Sequence, residues 1–127
     1  MPKKIQINNT SIVLKVTYNK ISFLFTGDAE DPAEEAMLAL KGKIDLKSTI
    51  YKAPHHGSDT SSTAVFLNKV SPEVIVICVG RNNKFGHPGE STMARFRDSG
   101  AKIYRTDFHG NIKIITDGNQ YQIITSK

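Results

Sequence analysis

Ala53-Pro54-His55-His56-Gly57-Ser58-Asp59-Thr60 is the stretch on which the reading of the fold turns. It leaves a strand-like run over residues 48–53 and enters a helix-like run beginning near Ser61. Two imidazoles, a glycine and the hydroxyls of Ser58, Thr60 and Ser61 therefore stand where a strand gives way to a helix. In α/β proteins that position faces the ligand crevice. Adjacent histidines suit joint metal and phosphate work, one ring ligating while its neighbour donates a hydrogen bond to an anion. Gly57 lets the chain turn sharply and lets a ligand approach the backbone. Taken alone, a histidine pair is more often a solvated loop, so the flanking pattern has to decide.

Upstream, residues 11–17 alternate with Ile12, Leu14 and Val16 on one face, a strand pattern. A tight turn at Tyr18-Asn19-Lys20 leads to a second strand over 21–25, so the first pair is an antiparallel hairpin. That strand ends in Thr26-Gly27-Asp28, which puts a carboxylate just past a strand end. Asp31 as cap and Pro32 in the first turn open a helix. Ala33, Ala36, Met37 and Leu40 form its inward face, Glu34 and Glu35 lie near its favourable N-terminal end, and Gly42 closes it.

Downstream, Ser61 or Ser62 caps a helix that packs Val65, Phe66 and Val70 inward and stops at Pro72. Residues 74–79 are continuously apolar, as in a central strand covered on both faces. The strand empties into Gly80-Arg81-Asn82-Asn83-Lys84-Phe85-Gly86-His87-Pro88, whose cations and amides suit phosphate recognition. Ser91 caps a helix to Ser99, stopped by Gly100, and a short strand covers 102–105. Strands over 111–116 and 120–125 flank Asp117-Gly118-Asn119, a hairpin signature. His109 reads as turn chemistry outside the site. The whole pattern is an α/β layer fold with a mixed sheet, about three helices and terminal hairpins. If the strands before the three notable loops lie side by side, those loops share one sheet edge, and Asp28, His55, His56 and His87 converge.

The chain has 127 residues, 39% hydrophobic and 23% charged, which is one domain with room for a core. Residues 1–10 are short, basic and polar, a leader or linker ahead of a domain over 11–127. No apolar run reaches membrane-spanning length and no signal peptide is apparent, so the segment is expected to be soluble with no membrane contact of its own. The single cysteine, Cys78, excludes an internal disulfide. A net charge of +5 favours a polyanionic partner.

A carboxylate with imidazoles suits zinc or manganese, and two metals can generate hydroxide and clamp a phosphate. A catalytic zinc normally takes three protein ligands, more than Asp28 with one or two histidines provides.

Thr26-Gly27-Asp28, Pro54-His55-His56-Gly57-Ser58, the run from Gly80 to Pro88, and Tyr104-Arg105-Thr106-Asp107 occur in this order. The ordered set resembles the metallo-β-lactamase-like domain at the C-terminus of ComEC-type competence proteins, the DNA-internalisation channels of bacteria. The resemblance implies half of an αββα sandwich, a divalent site of two zinc or manganese ions in the intact domain, and hydrolase or nuclease chemistry on DNA. It implies Asp28 as metal-bridging ligand and His56 as metal ligand. His55 becomes a phosphate-facing or supporting catalytic partner, with the reverse assignment of the two histidines open. His87 and Lys84 are implied to act on phosphate, with Asn83, Ser58 and Arg81 binding it.

The family's His-x-His-x-Asp-His motif lies upstream, and this chain has no histidine before His55. The chain thus resembles the second half of the sandwich. Its expected partners are the missing N-terminal half, DNA and, through an exposed sheet face or edge, a second copy of itself. The implied setting is a soluble domain of an integral membrane protein of the bacterial cell envelope. Two other readings are a non-catalytic nucleic-acid-binding module using Lys52, Arg81, Lys84 and Arg105, and a phosphoesterase acting on a small phosphodiester.

Overall fold

The computed structural model describes residues 11–40 and 42–127. The leader or linker expected at 1–10 lies outside the described residues. Five strands, β1 (Leu14–Tyr18), β2 (Ile21–Phe25), β3 (Ile50–Lys52), β4 (Val74–Ile77) and β5 (Lys102–Arg105), form one sheet in sequence order. β1 and β2 are antiparallel, and β2 to β5 run parallel, with Phe23, Ile50, Val74 and Lys102 in line. β6 (Ile112–Thr116) and β7 (Tyr121–Thr125) pair as a separate antiparallel hairpin. The helices are α1 (Asp31–Leu38), α2 (Ala64–Val70), α3 (Glu90–Asp98) and a single turn, α4 (Thr106–His109). None of the described helices is long and apolar enough to cross a membrane.

Strand alternation divides the core into two. Leu24, Tyr51, Ile75 and Ile77 point to one face and meet Met37, Leu38, Phe66, Leu67, Val70, Met93 and Phe96 from α1, α2 and α3. Phe66 and Phe96 are fully buried, each contributing about 1.5–3 kcal/mol relative to exposure. Ile50, Val74 and Val76 point to the other face and pack against Ile112, Ile114, Tyr121 and Ile123 of the hairpin. β4 is covered on both sides, which is why it reads as an unbroken apolar run.

Local departures from the expected elements have identifiable causes. The α1 N-cap is Glu30, not Asp31, and the helix ends at Leu38, so Leu40 is exposed and Glu34 turns inward. Thr63, not Ser61 or Ser62, caps α2 by accepting from the Phe66 N–H, and this rotation puts Val65 in solvent. Gly89 precedes α3, and the expected Ser91 cap is replaced by the Asp59 carboxylate, which reaches across to the Thr92 N–H.

The hairpin does not cover its whole face of the sheet. Its turn lies on the β1–β2 turn, where Gly118 accepts from the Lys20 N–H and Asn119 from Asn19. At the other end, Leu14, Val16 and Phe25 share the face of Phe23 through the β1–β2 register but remain 53%, 46% and 37% exposed. β1 is also an edge strand. An apolar patch beside an open edge favours association. The wild-type chain is expected to show a sedimentation-derived mass that rises with concentration, and Leu14→Lys with Val16→Lys to hold it at the monomer. An unchanged rise in the double variant would place association elsewhere.

Candidate functional site

β2, β3 and β4 are parallel neighbours, so the loops that follow them emerge at one end of the sheet. Thr26-Gly27-Asp28, the 54–60 loop and the 80–88 loop meet there, as the sequence pattern anticipates. The His55 N–H donates to the Gly27 carbonyl at 3.0 Å, tying the histidine loop to the residue before Asp28. The Gly89 N–H donates to the Gly57 carbonyl at 3.0 Å, tying it to the third loop.

The histidines leave β3 in a left-handed turn. His55, His56 and Gly57 have φ of 50°, 54° and 82°. The left-handed region costs a non-glycine residue about 1–2 kcal/mol, so two histidines in succession store strain at this point. Gly57 is required for a second reason: a Cβ there would lie 2.6 Å from the Pro88 Cβ.

Each ring has a distinct setting. The His56 Nδ1 lies 2.6 Å from the Cys78 carbonyl oxygen. A carbonyl can only accept, so Nδ1 carries a proton, which in the neutral ring leaves the lone pair on Nε2. This arrangement orients an imidazole for ligation. The His55 Nδ1 is buried without a hydrogen-bond partner among the described residues, and its ring centroid is 5.5 Å from that of His87. Burial, followed by the positive charge that His55 and His56 carry when protonated, lowers the His87 pKa, so its imidazole is neutral at neutral pH. Phe85 also stacks on His87, with centroids 5.9 Å apart.

The remaining sequence-derived residues divide into exposed groups and loop-shaping groups. Asp28 is exposed, with its N–H donating to Ser11 Oγ. Arg81 and Lys84 are exposed, and neither is in a salt bridge among the described residues. The Asn83 amide donates to the His87 carbonyl at 2.6 Å and accepts from the His87 N–H at 2.8 Å, fixing the loop that carries the third imidazole. Ser58 is buried, its hydroxyl 2.9 Å from Thr60 Oγ1. His109 closes the α4 turn onto the Arg105 backbone, in keeping with its reading as turn chemistry.

The donors match a divalent metal in kind: a carboxylate and an imidazole with a free, oriented Nε2. They do not match it in number, because no group of three histidine, cysteine, aspartate or glutamate side chains that could hold an ion occurs among the described residues. A closed metal centre therefore needs donors from outside them.

Of the residues that lock this edge, local sequence pattern marks only one. Asp59 Oδ1 accepts from the Thr92 N–H and hydroxyl, both at 3.0 Å, and a Cβ on Gly89 would collide with that carboxylate. Thr106 Oγ1 hydrogen bonds to both the N–H and the carbonyl of Val79, holding the start of the third loop. Glu34 is buried beneath the loop. Its spacing from Met37 and Leu38 at i+3 and i+4 is the one signal that marks it as inward-facing.

Two outcomes are expected. Gly57→Ala combines a positive φ with a clash at Pro88 and should lower the unfolding free energy by about 1–3 kcal/mol, measured from urea midpoints at constant slope. The Asp59 carboxyl is held below its ordinary 3.8 by hydrogen bonds from Ser91 and the Thr92 N–H. A depressed folded-state pKa means that stability is present above 3.8 and is lost as pH falls through the folded value. The gap in stability between wild type and Asp59→Asn should thus be widest near neutral pH and shrink on acidification below 3.8, measured by thermal melts over a pH series.

No protein-family model matches the chain. It is 40% identical over 111 residues to the competence protein ComA of Neisseria gonorrhoeae, covering 87% of this chain and 16% of that protein. It is 30% identical over 106 residues to ComE operon protein 3 of Bacillus subtilis, and 35% over 107 residues to recombination protein 2 of Haemophilus influenzae, each covering 84% of this chain and 13% of the relative. The chain thus spans between 13% and 16% of the length of these relatives. Across most of its own length it is similar to one segment of ComEC-type bacterial competence proteins.

Proposed function

We propose that the chain is the C-terminal half of a metal-dependent phosphodiesterase- or nuclease-like domain of a competence DNA-uptake protein, and that it acts on DNA in the intact parent. The observation that carries the reading is the His56 imidazole, held by the Cys78 carbonyl with its Nε2 free, on a strained turn at the end of a parallel strand. Similarity to proteins named for competence supports the biological setting, and with it a membrane-associated parent.

A zinc or manganese ion would be held by Asp28 and His56 with donors from the missing N-terminal half. When bound, it supplies a Lewis acid for a phosphoryl oxygen. The neutral His87 presents an imidazole able to accept a proton or hydrogen bond beside His55. Lys84 and Arg81 supply exposed positive charge for phosphate oxygens, while Asn83 and Ser58 shape the loops that carry the imidazoles. The uncovered patch of Leu14, Val16 and Phe25 adjoins the Asp28 loop, so a packing partner there closes over both the apolar face and the site.

A specific observation favours a second reading, a non-catalytic nucleic-acid module. Phe85, in the 80–88 loop, and Phe108, in α4, are 79% and 62% exposed at this end of the sheet, and the Arg105 guanidinium lies 3.8 Å from the Phe108 ring centroid. Exposed rings beside cations suit base stacking.

Metal content of the intact parent domain after dialysis against zinc or manganese, with cleavage of labelled DNA as companion readout, separates the two. The hydrolase reading expects loading that weakens more than about tenfold in Asp28→Ala and His56→Ala, as loss of a metal-ligand interaction does. DNA binding that persists in chelator, with a steep salt slope and no sensitivity to those substitutions, would instead establish the binding module. Cleavage confined to small phosphodiesters would move the substrate away from DNA.

A further inference from the structure

The segment that follows the histidine turn is held by two opposite charges that do not touch each other. Glu34, on α1, is 1% exposed. Its two carboxylate oxygens accept from the N–H of Ser62 at 2.6 Å and the N–H of Thr63 at 3.0 Å. Arg95, on α3, approaches from the opposite side. Its Nε–H donates to the Ser62 carbonyl at 2.8 Å and its Nη2–H to the Ser61 carbonyl at 3.0 Å.

The pairing is by peptide unit. The peptide joining Ser61 to Ser62 offers its carbonyl to the guanidinium and its N–H to the carboxylate. The next peptide, joining Ser62 to Thr63, does the same. The fork of an arginine and the fork of a glutamate are thus bridged by two consecutive backbone amides, each polarised from both ends. Ser62 sits between them at a φ of 59°, a left-handed conformation this grip holds in place.

Further bonds carry the restraint to the site. Ser61 Oγ donates to the Ala29 carbonyl at 2.6 Å, and the Asp31 N–H donates to the Thr60 carbonyl at 2.9 Å, so the loop is fixed against the Asp28 segment. Thr92 Oγ1, which accepts a further bond from Arg95 at 2.9 Å, shares its one proton between the Ser58 carbonyl and Asp59 Oδ1, each at 3.0 Å.

We propose that Glu34 and Arg95 form a backbone-bridged ion pair that positions the His55–His56 turn relative to Asp28. Both are positioning residues; neither reaches the imidazoles. The clamp is independent of the proposed hydrolase reading, and only its consequence for chemistry rests on that reading.

The test reads the His56 imidazole directly, in chelator, by nitrogen NMR of the ¹⁵N-histidine-labelled chain. Wild type is expected to show one tautomer with a protected Nδ1–H. Glu34→Gln and Arg95→Met are each expected to speed exchange of that proton by about tenfold, within the range of coupling between contacting residues. The double variant should add little, because both side chains act through the same two peptides. Phe66→Leu, which weakens the same core without touching the clamp, should leave the tautomer and protection intact at a matched fall in melting temperature. Should a methionine at 95 prevent folding, Arg95→Lys, which keeps the charge but loses the fork, is expected to show the same loss of protection. The proposal is overturned by an unchanged His56 signal in the folded variants, by additive single effects, or by equal loss in Phe66→Leu. None of these outcomes depends on metal binding or cleavage, so failure of the clamp and failure of the hydrolase reading are separately visible.

Discussion

His55, His56 and Gly57 follow one another at positive φ directly after β3, and a left-handed run of this kind persists where neighbouring contacts over-determine it. Here those contacts come from every side. The Gly27 carbonyl takes the His55 N–H, and the Gly57 carbonyl takes the Gly89 N–H. Pro88 fills the space where a side chain on Gly57 would stand. The turn points the His56 Nδ1 at the Cys78 carbonyl and brings the His55 ring against His87. Strain in the backbone and order in the imidazoles are therefore two aspects of one arrangement.

That arrangement depends in turn on the parallel alignment of β2, β3 and β4. Parallel neighbours finish at the same end, so three loops distant in sequence become neighbours in space. The two faces of the sheet are treated differently. Helices cover the β2–β5 part of one, while the β6–β7 hairpin covers part of the other and leaves Leu14, Val16 and Phe25 in solvent. The open part of the face and the incomplete donor set lie at the same end of the molecule. Under the proposed reading, one packing partner would complete both.

Much of the architecture was legible because it depends on short-range pattern. β2 and β5 fall over the residues expected for them, 21–25 and 102–105, and the final hairpin closes around Asp117-Gly118-Asn119. The helix ends were less legible, for a shared reason. Ser61 is turned to the Ala29 carbonyl and Ser62 to the Tyr51 hydroxyl, so Thr63 is left to cap α2. α3 takes its cap from Asp59, which lies in a different loop. Local rules assign a cap to the nearest hydroxyl; the folded chain gives the task to whichever acceptor tertiary packing brings within reach. Glu34 shows the same effect on a charge. Near a helix N-terminus it looks like a solvated acid, yet its register with Met37 and Leu38 turns it inward. Burial raises its pKa, opposed by the hydrogen bonds from the Thr63 and Ser62 N–H groups.

By itself, the sequence determined the element order, the central position of the 74–79 strand and the three loops able to carry chemistry, because periodicity, glycines and strand ends are local properties. Tertiary structure decided which imidazole is oriented, which amide and hydroxyl shape loops, and which charges hold the histidine turn. Those outcomes depend on distances between residues such as His56 and Cys78, or Glu34 and Ser62, that are 22 and 28 positions apart. Hydrogen bonds act over about 3 Å, and no spacing along the chain reports a distance of that kind.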